Sequence, residues 1–136
     1  MLTNPPSATN QAPANAEPYG FEIGKDYVDE ACVQQVKGLL EEAYPEVLAG
    51  FLSDTREYIE ELGKALHNSN VKEAAAIAHK IKSSAGQFGF RLIQQIAKTI
   101  EQSKEMPIEK LLVCQTDLEN SYHKTVDFLK QHSLYF

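Results

Sequence analysis

Asn70-Val71-Lys72-Glu73-Ala74-Ala75-Ala76-Ile77-Ala78-His79-Lys80-Ile81-Lys82-Ser83-Ser84-Ala85-Gly86-Gln87-Phe88-Gly89 decides the fold class of this chain. At about 100° per residue, Ala74, Ile77, Ala78, Ile81, Ser84, Ala85 and Phe88 gather on one face, the face a core would take. Asn70 and Glu73 stand at capping-box spacing, with Asn in place of the usual Ser or Thr, and Gly89 is a natural C-terminal stop. A helix is predicted between them. His79 points away from its apolar face. The neighbours of His79 one and two turns off are Ala75, Ala76, Lys82, Ser83 and Gly86, so nothing bulky and apolar crowds the ring and a cation stands beside it.

Helical periodicity continues on both sides of this stretch. From about Asp26, Val33, Val36, Leu39 and Leu40 form a first amphipathic run that Pro45 interrupts. Val47, Leu48, Phe51, Leu52, Tyr58, Ile59, Leu62 and Leu66 form a second, with Pro45 near its first turn, and it runs out at His67-Asn68-Ser69. Beyond Gly89, Leu92, Ile93, Ile96, Ala97 and Ile100 make a fourth segment that must end before Pro107. Ile108, Leu111, Leu112, Leu118, Tyr122, Val126 and Leu129 make a fifth of about six turns. No period-two strand with hairpin signals occurs. Long helices with short connections and one apolar stripe each predict an all-α fold, an up-and-down four-helix bundle with an additional N-terminal helix. Residues 1–22, with Pro5, Pro6, Pro13 and Pro18 among Asn, Ala, Ser and Thr, read as a flexible tail, and residues 23–136 as the bundle.

The 136 residues leave room for one domain. Thirteen Lys and Arg stand against 19 Asp and Glu, a net charge of −6 with no basic run, so nucleic acid is not an expected partner. Cys32 and Cys114 belong to no C-x-x-C or Cys/His cluster, which argues against a zinc site or a disulfide framework and for reduced thiols. No apolar run approaches the ~20 residues that span a bilayer, and the N-terminus lacks the pattern of a secretion signal. A cytoplasmic protein without membrane insertion is expected. His67, His123 and His132 have no neighbours at metal-ligand spacing and read as surface residues; no metal site is expected. The Tyr and Phe residues follow the stripes and read as core.

A histidine on an exposed helix face is by default a solvated side chain. Small residues around His79 would admit another protein to the ring, however, and Lys82 is placed to neutralise a dianion attached to it. A neutral imidazole is a competent nucleophile near pH 7, and a hydrogen bond to one ring nitrogen leaves the other's lone pair available. These are the parts of a phosphoryl acceptor. Ala78-His79-Lys80-Ile81-Lys82-Ser83-Ser84, with Gly89 a turn beyond and Leu92, Ile96, Ile100 and Glu101 on the following helix, resembles the histidine-containing phosphotransfer (HPt) domains of multistep His–Asp phosphorelays. The detailed resemblance covers residues 78–101; the helix order extends it more loosely over 27–132.

The resemblance implies that His79 takes the phosphoryl group on Nε2, that Lys82 stabilises the phosphoryl oxygens, and that Glu101 accepts from Nδ1–H and orients the ring. It places Ala75, Ala76, Lys80, Ser83, Ser84 and Gly86 on the surface that meets the partner. Ser84 sits at the family's serine position and at the edge of the predicted core, so a structural hydroxyl is an equal reading. Most family members carry glycine where this chain has Ser83, which bears on the choice of partner. Lys80 adds a second cation near the site, a solvated lysine being the plainer reading. In the family the first helix also lends apolar surface to the partner, which brings Val33, Val36 and Leu40 into consideration.

The expected function is that of a phosphorelay shuttle, accepting a phosphoryl group from a receiver-domain aspartate and passing it to another receiver. The expected partners are the receiver domains of response regulators and of a hybrid sensor histidine kinase. With no G-x-x-x-x-G-K-[ST] loop, no autonomous kinase activity is expected. No cofactor of its own is expected either, the magnesium belonging to the partner receiver domain. A single accessible histidine works without a second subunit, so a monomer is expected. The alternatives are a docking module that inhibits signalling without accepting phosphate, and a plain helical scaffold.

Overall fold

The computed structural model describes residues 27–103 and 105–135. Within them the regular structure is helical: α1 (Glu30–Leu40), a single 3-10 turn (Glu41–Ala43), α2 (Tyr44–His67), α3 (Val71–Phe88), α4 (Arg91–Gln102) and α5 (Ile108–Gln131). The expectation of an all-helical bundle is met. α2 packs on α3 and α5, α4 packs on the same two helices, and α1 rests on α2 and α3. The segment read as a flexible tail lies outside the described residues.

α1 begins at Glu30, later than the apolar pattern suggested, because Asp29 caps it by accepting a hydrogen bond from the Cys32 N–H at 3.1 Å. Nor does Pro45 separate the first two helices. It occupies the first turn of α2, where its missing N–H is no loss. The break falls at Glu41, which closes α1 with φ 52° and is followed by the single 3-10 turn.

The α2–α3 and α3–α4 connections are each built by residues that serve two helices. Asn70 donates its N–H to the Ala65 carbonyl at 2.8 Å, completing the end of α2. Its side chain accepts from the Glu73 N–H at 3.1 Å and donates to the Glu73 carboxylate at 3.0 Å, capping α3 through a side-chain pair while the Asn70 backbone N–H stays with α2. Phe90 likewise donates to Ala85 at 2.9 Å to finish α3 and serves as N-cap of α4, while Gly89 supplies the left-handed residue at φ 83°. The fully buried Phe90 ring then packs with Phe51 and Phe88, centroids 5.3 and 5.5 Å away. Turn and core thus specify each other.

The predicted core faces of α3 and α4 are buried as read: Ala74, Ile77, Ala78, Ile81, Ala85 and Phe88 on one, Leu92, Ile93, Ile96, Ala97 and Ile100 on the other. Only Ser84 of the α3 set is half-buried. On α1 and α2 the reading was too generous, since Leu39 is 80% exposed and Val47 41%. On α5 the buried seam runs through Leu111, Cys114, Leu118, Ser121, Thr125 and Leu129, with Tyr122 and Val126 half-buried at its margin.

Candidate functional site

Burial of Ala78 on one side of α3 fixes where the next residue points, and His79 emerges with 58% of its side chain exposed. The last turn of α4 lies alongside and brings Glu101 to the ring. His79 Nδ1 and Glu101 Oε2 are 2.7 Å apart. Glu101 Oε1, shielded from solvent, is 2.8 Å from Lys82 Nζ, one turn along α3 from the histidine. One carboxylate therefore holds both the imidazole and the ammonium.

The hydrogen bond from Lys82, and after it the one from His79, hold the Glu101 carboxyl below the 4.5 usual for glutamate. At neutral pH Glu101 is then ionised and can only accept, so the proton between the two side chains belongs to Nδ1. In the neutral imidazole Nε2 consequently carries the lone pair. The nucleophilic nitrogen is the one that Glu101 does not occupy.

Around the ring lies a shallow depression lined by Ala75, Ala76, His79, Lys80, Lys82, Glu101 and Gln102. The structure thus brings together the three residues expected to do the chemistry and three of the six expected at the partner surface. Ser83 is exposed on the same helix and Ser84 is half-buried. Gly86 has a packing role as well: a Cβ built there would lie 2.7 Å from the Gln94 amide nitrogen, so the missing side chain leaves room for the Gln94 side chain of α4 to lie over α3.

Two neighbours escaped the sequence reading. Gln102 follows Glu101 into the depression and carried no signal of its own. Tyr58 belonged to the apolar stripe of α2, yet its ring lies beneath the Lys80 ammonium at 5.7 Å from the centroid. A contact between helices depends on their register, which the periodicity of either helix alone does not contain. Among the described residues no three His, Cys, Asp or Glu side chains converge as a metal site would require.

A family model described as Hpt domain matches residues 46–124. Among solved structures, the chain is similar to histidine-containing phosphotransfer protein B from Pseudomonas aeruginosa PAO1. That likeness has a TM-score of 0.74 at 20% sequence identity, covering 83% of this chain and 99% of the other. No curated protein matches the sequence.

Proposed function

Since the chain belongs to the Hpt domain family, a family of phosphotransfer proteins in phosphorelays that work with receiver domains, we propose that His79 is its phosphoacceptor. Support comes above all from one contact, the 2.7 Å hydrogen bond between His79 Nδ1 and Glu101. It fixes the ring and directs reactivity to an exposed Nε2 with room around it for a partner.

In this reading a receiver domain carrying an aspartyl phosphate docks over the depression. The Nε2 lone pair attacks phosphorus in line, the N–P bond forms as the bond to the aspartate oxygen breaks, and the aspartate leaves as a carboxylate. The imidazole becomes positively charged as it attacks, and the Glu101 carboxylate across Nδ1–H offsets that charge. Lys82 faces the phosphoryl oxygens while held in place by Glu101. The reverse steps load a second receiver. Charge stabilisation and positioning carry such a transfer, and the magnesium it uses is supplied by the receiver.

The same reading takes the donor and acceptor to be receiver domains of a hybrid sensor kinase and of response regulators. Ala75, Ala76, Lys80, Ser83, Ser84 and Gly86 form or border the docking surface. The molecule is taken as a cytoplasmic monomer whose residues 23–136 form an up-and-down four-helix bundle with α1 as the additional helix. No helix among the described residues is long and apolar enough to cross a membrane.

A timed transfer assay tests the function. Labelled phosphoryl on a receiver domain from the same organism should move to this chain as an acid-labile, base-stable adduct and should not move to His79→Gln. Stable receiver binding without transfer across a panel of receivers would instead identify a docking inhibitor.

A further inference from the structure

A phosphoryl group on Nε2 brings a charge of about −1.5 to −2 at neutral pH, by analogy with other phosphorylated side chains. Among the described residues, three charged side chains besides the histidine line the depression: Lys80, Lys82 and Glu101. Lys82 and Glu101 already neutralise each other across 2.8 Å. Among the described residues that line it, the remaining positive charge is that of Lys80, an exposed residue whose ammonium lies over the Tyr58 ring of α2.

The two lysines flank the histidine on opposite sides. Seen down α3, Lys82 lies about 60° round from His79 on the side facing α4, and Lys80 about 100° round on the side facing α2. Their contacts agree, Lys82 with Glu101 of α4 and Lys80 with Tyr58 of α2. Nδ1 is directed at α4. Nε2 is therefore directed away from α4, and a group attached there has Lys80 on its α2 side and Lys82 on its α4 side. An exposed ammonium resting on the ring of a half-buried tyrosine is held weakly, whereas a bond between an ammonium and a phosphoryl oxygen is charge-assisted on both sides. The long lysine stem allows the move.

We propose that Lys80 is a second phosphoryl-pairing cation, parked on Tyr58 while His79 is unmodified and drawn to the phosphoryl oxygens once His79 is loaded. Lys80 then compensates charge that Lys82 leaves unmatched, and its displacement from Tyr58 changes the α2 side of the docking surface with phosphorylation state. This proposal rests on the assignment of His79 as the acceptor.

The test is to load the full chain with phosphoramidate, a small phosphoryl donor, and follow it by NMR. Phosphorus resonances report the second ionisation of the phosphoryl group, and Tyr58 ring resonances report the position of Lys80. In the loaded native protein the Tyr58 resonances should move. In Lys80→Ala, whose substitution is at an exposed site, the loading-induced movement should vanish. Its phosphoryl pKa should rise by about 0.2–0.7 unit, the range of an exposed ion pair. Lys80→Arg should restore the native value. A loaded Lys80→Ala protein with the native phosphoryl pKa and the native Tyr58 response would overturn the role of Lys80 and leave His79 standing. If the native chain takes up no phosphoryl group on His79, the acceptor assignment falls and this proposal with it.

Discussion

Glu101 is the residue on which the site turns, since each of its carboxylate oxygens is engaged by a different functional side chain, Oε2 by His79 and Oε1 by Lys82. Removing the Lys82 charge should slow phosphoryl transfer by roughly 10- to 100-fold if its contact with the phosphoryl oxygens is made in the transition state. A Lys82→Ala protein transferring at the native rate in single-turnover assays would contradict that role. A different residue sets a prediction about stability. Thr125 is fully buried and, among the described residues, its hydroxyl has no hydrogen-bond partner, a desolvation cost that the isosteric valine avoids. Thr125→Val should therefore raise stability by about 1 kcal/mol, seen as a higher urea midpoint at unchanged slope. Much of the site was legible at this scale: the exposed histidine and nearby lysine follow from spacing, and Glu101 from the family pattern. The packing of Gln94 over Gly86 and of Lys80 on Tyr58 was not, because it depends on how neighbouring helices are staggered.

Helix ends carry the clearest imprint of local sequence, and also the clearest departures from it. Asn70, Glu73 and Gly89 announce their roles because their side chains, or the lack of one, suit the conformations required. Ser69 and Ser133 do not announce theirs. Both adopt φ 58° just beyond the ends of α2 and α5, where the next residue returns a hydrogen bond to the last turn: Asn70 to Ala65 at 2.8 Å and Leu134 to Leu129 at 2.7 Å. Glycine takes this conformation without steric cost, so Ser69→Gly and Ser133→Gly should each stabilise the fold by about 0.5–1 kcal/mol, measurable by denaturant titration. At the other end of the bundle's first helix, Asp29 caps α1 and also meets Arg91 of α4 at 2.7 Å. The Arg91 hydrogen bond, followed by that from the Cys32 N–H, lowers the Asp29 pKa below the usual 3.8. A carboxylate with a depressed folded-state pKa stabilises fully above its unfolded value and loses that contribution as pH falls through the folded one. Asp29→Asn should thus reduce stability at neutral pH and flatten the fall in stability below about pH 4, the region where an unperturbed aspartate protonates. An equal fall in both proteins would show that the Asp29 pair does not contribute.

For the whole molecule, the order of helices was readable because each buries one face, while the exposed Leu39 and Val47 show where periodicity overreaches: an apolar residue at the right spacing is buried only where another element covers it. The bundle supplies a rigid frame in which α3 presents the histidine and α4 presents the carboxylate that orients it. That frame makes a claim about a single atom, and heteronuclear NMR of the phosphoramidate-loaded chain tests it most directly. Phosphorus coupling to His79 Nε2, with Nδ1 still protonated, is the result predicted here. Phosphorus on Nδ1, or on any other side chain, would contradict the account.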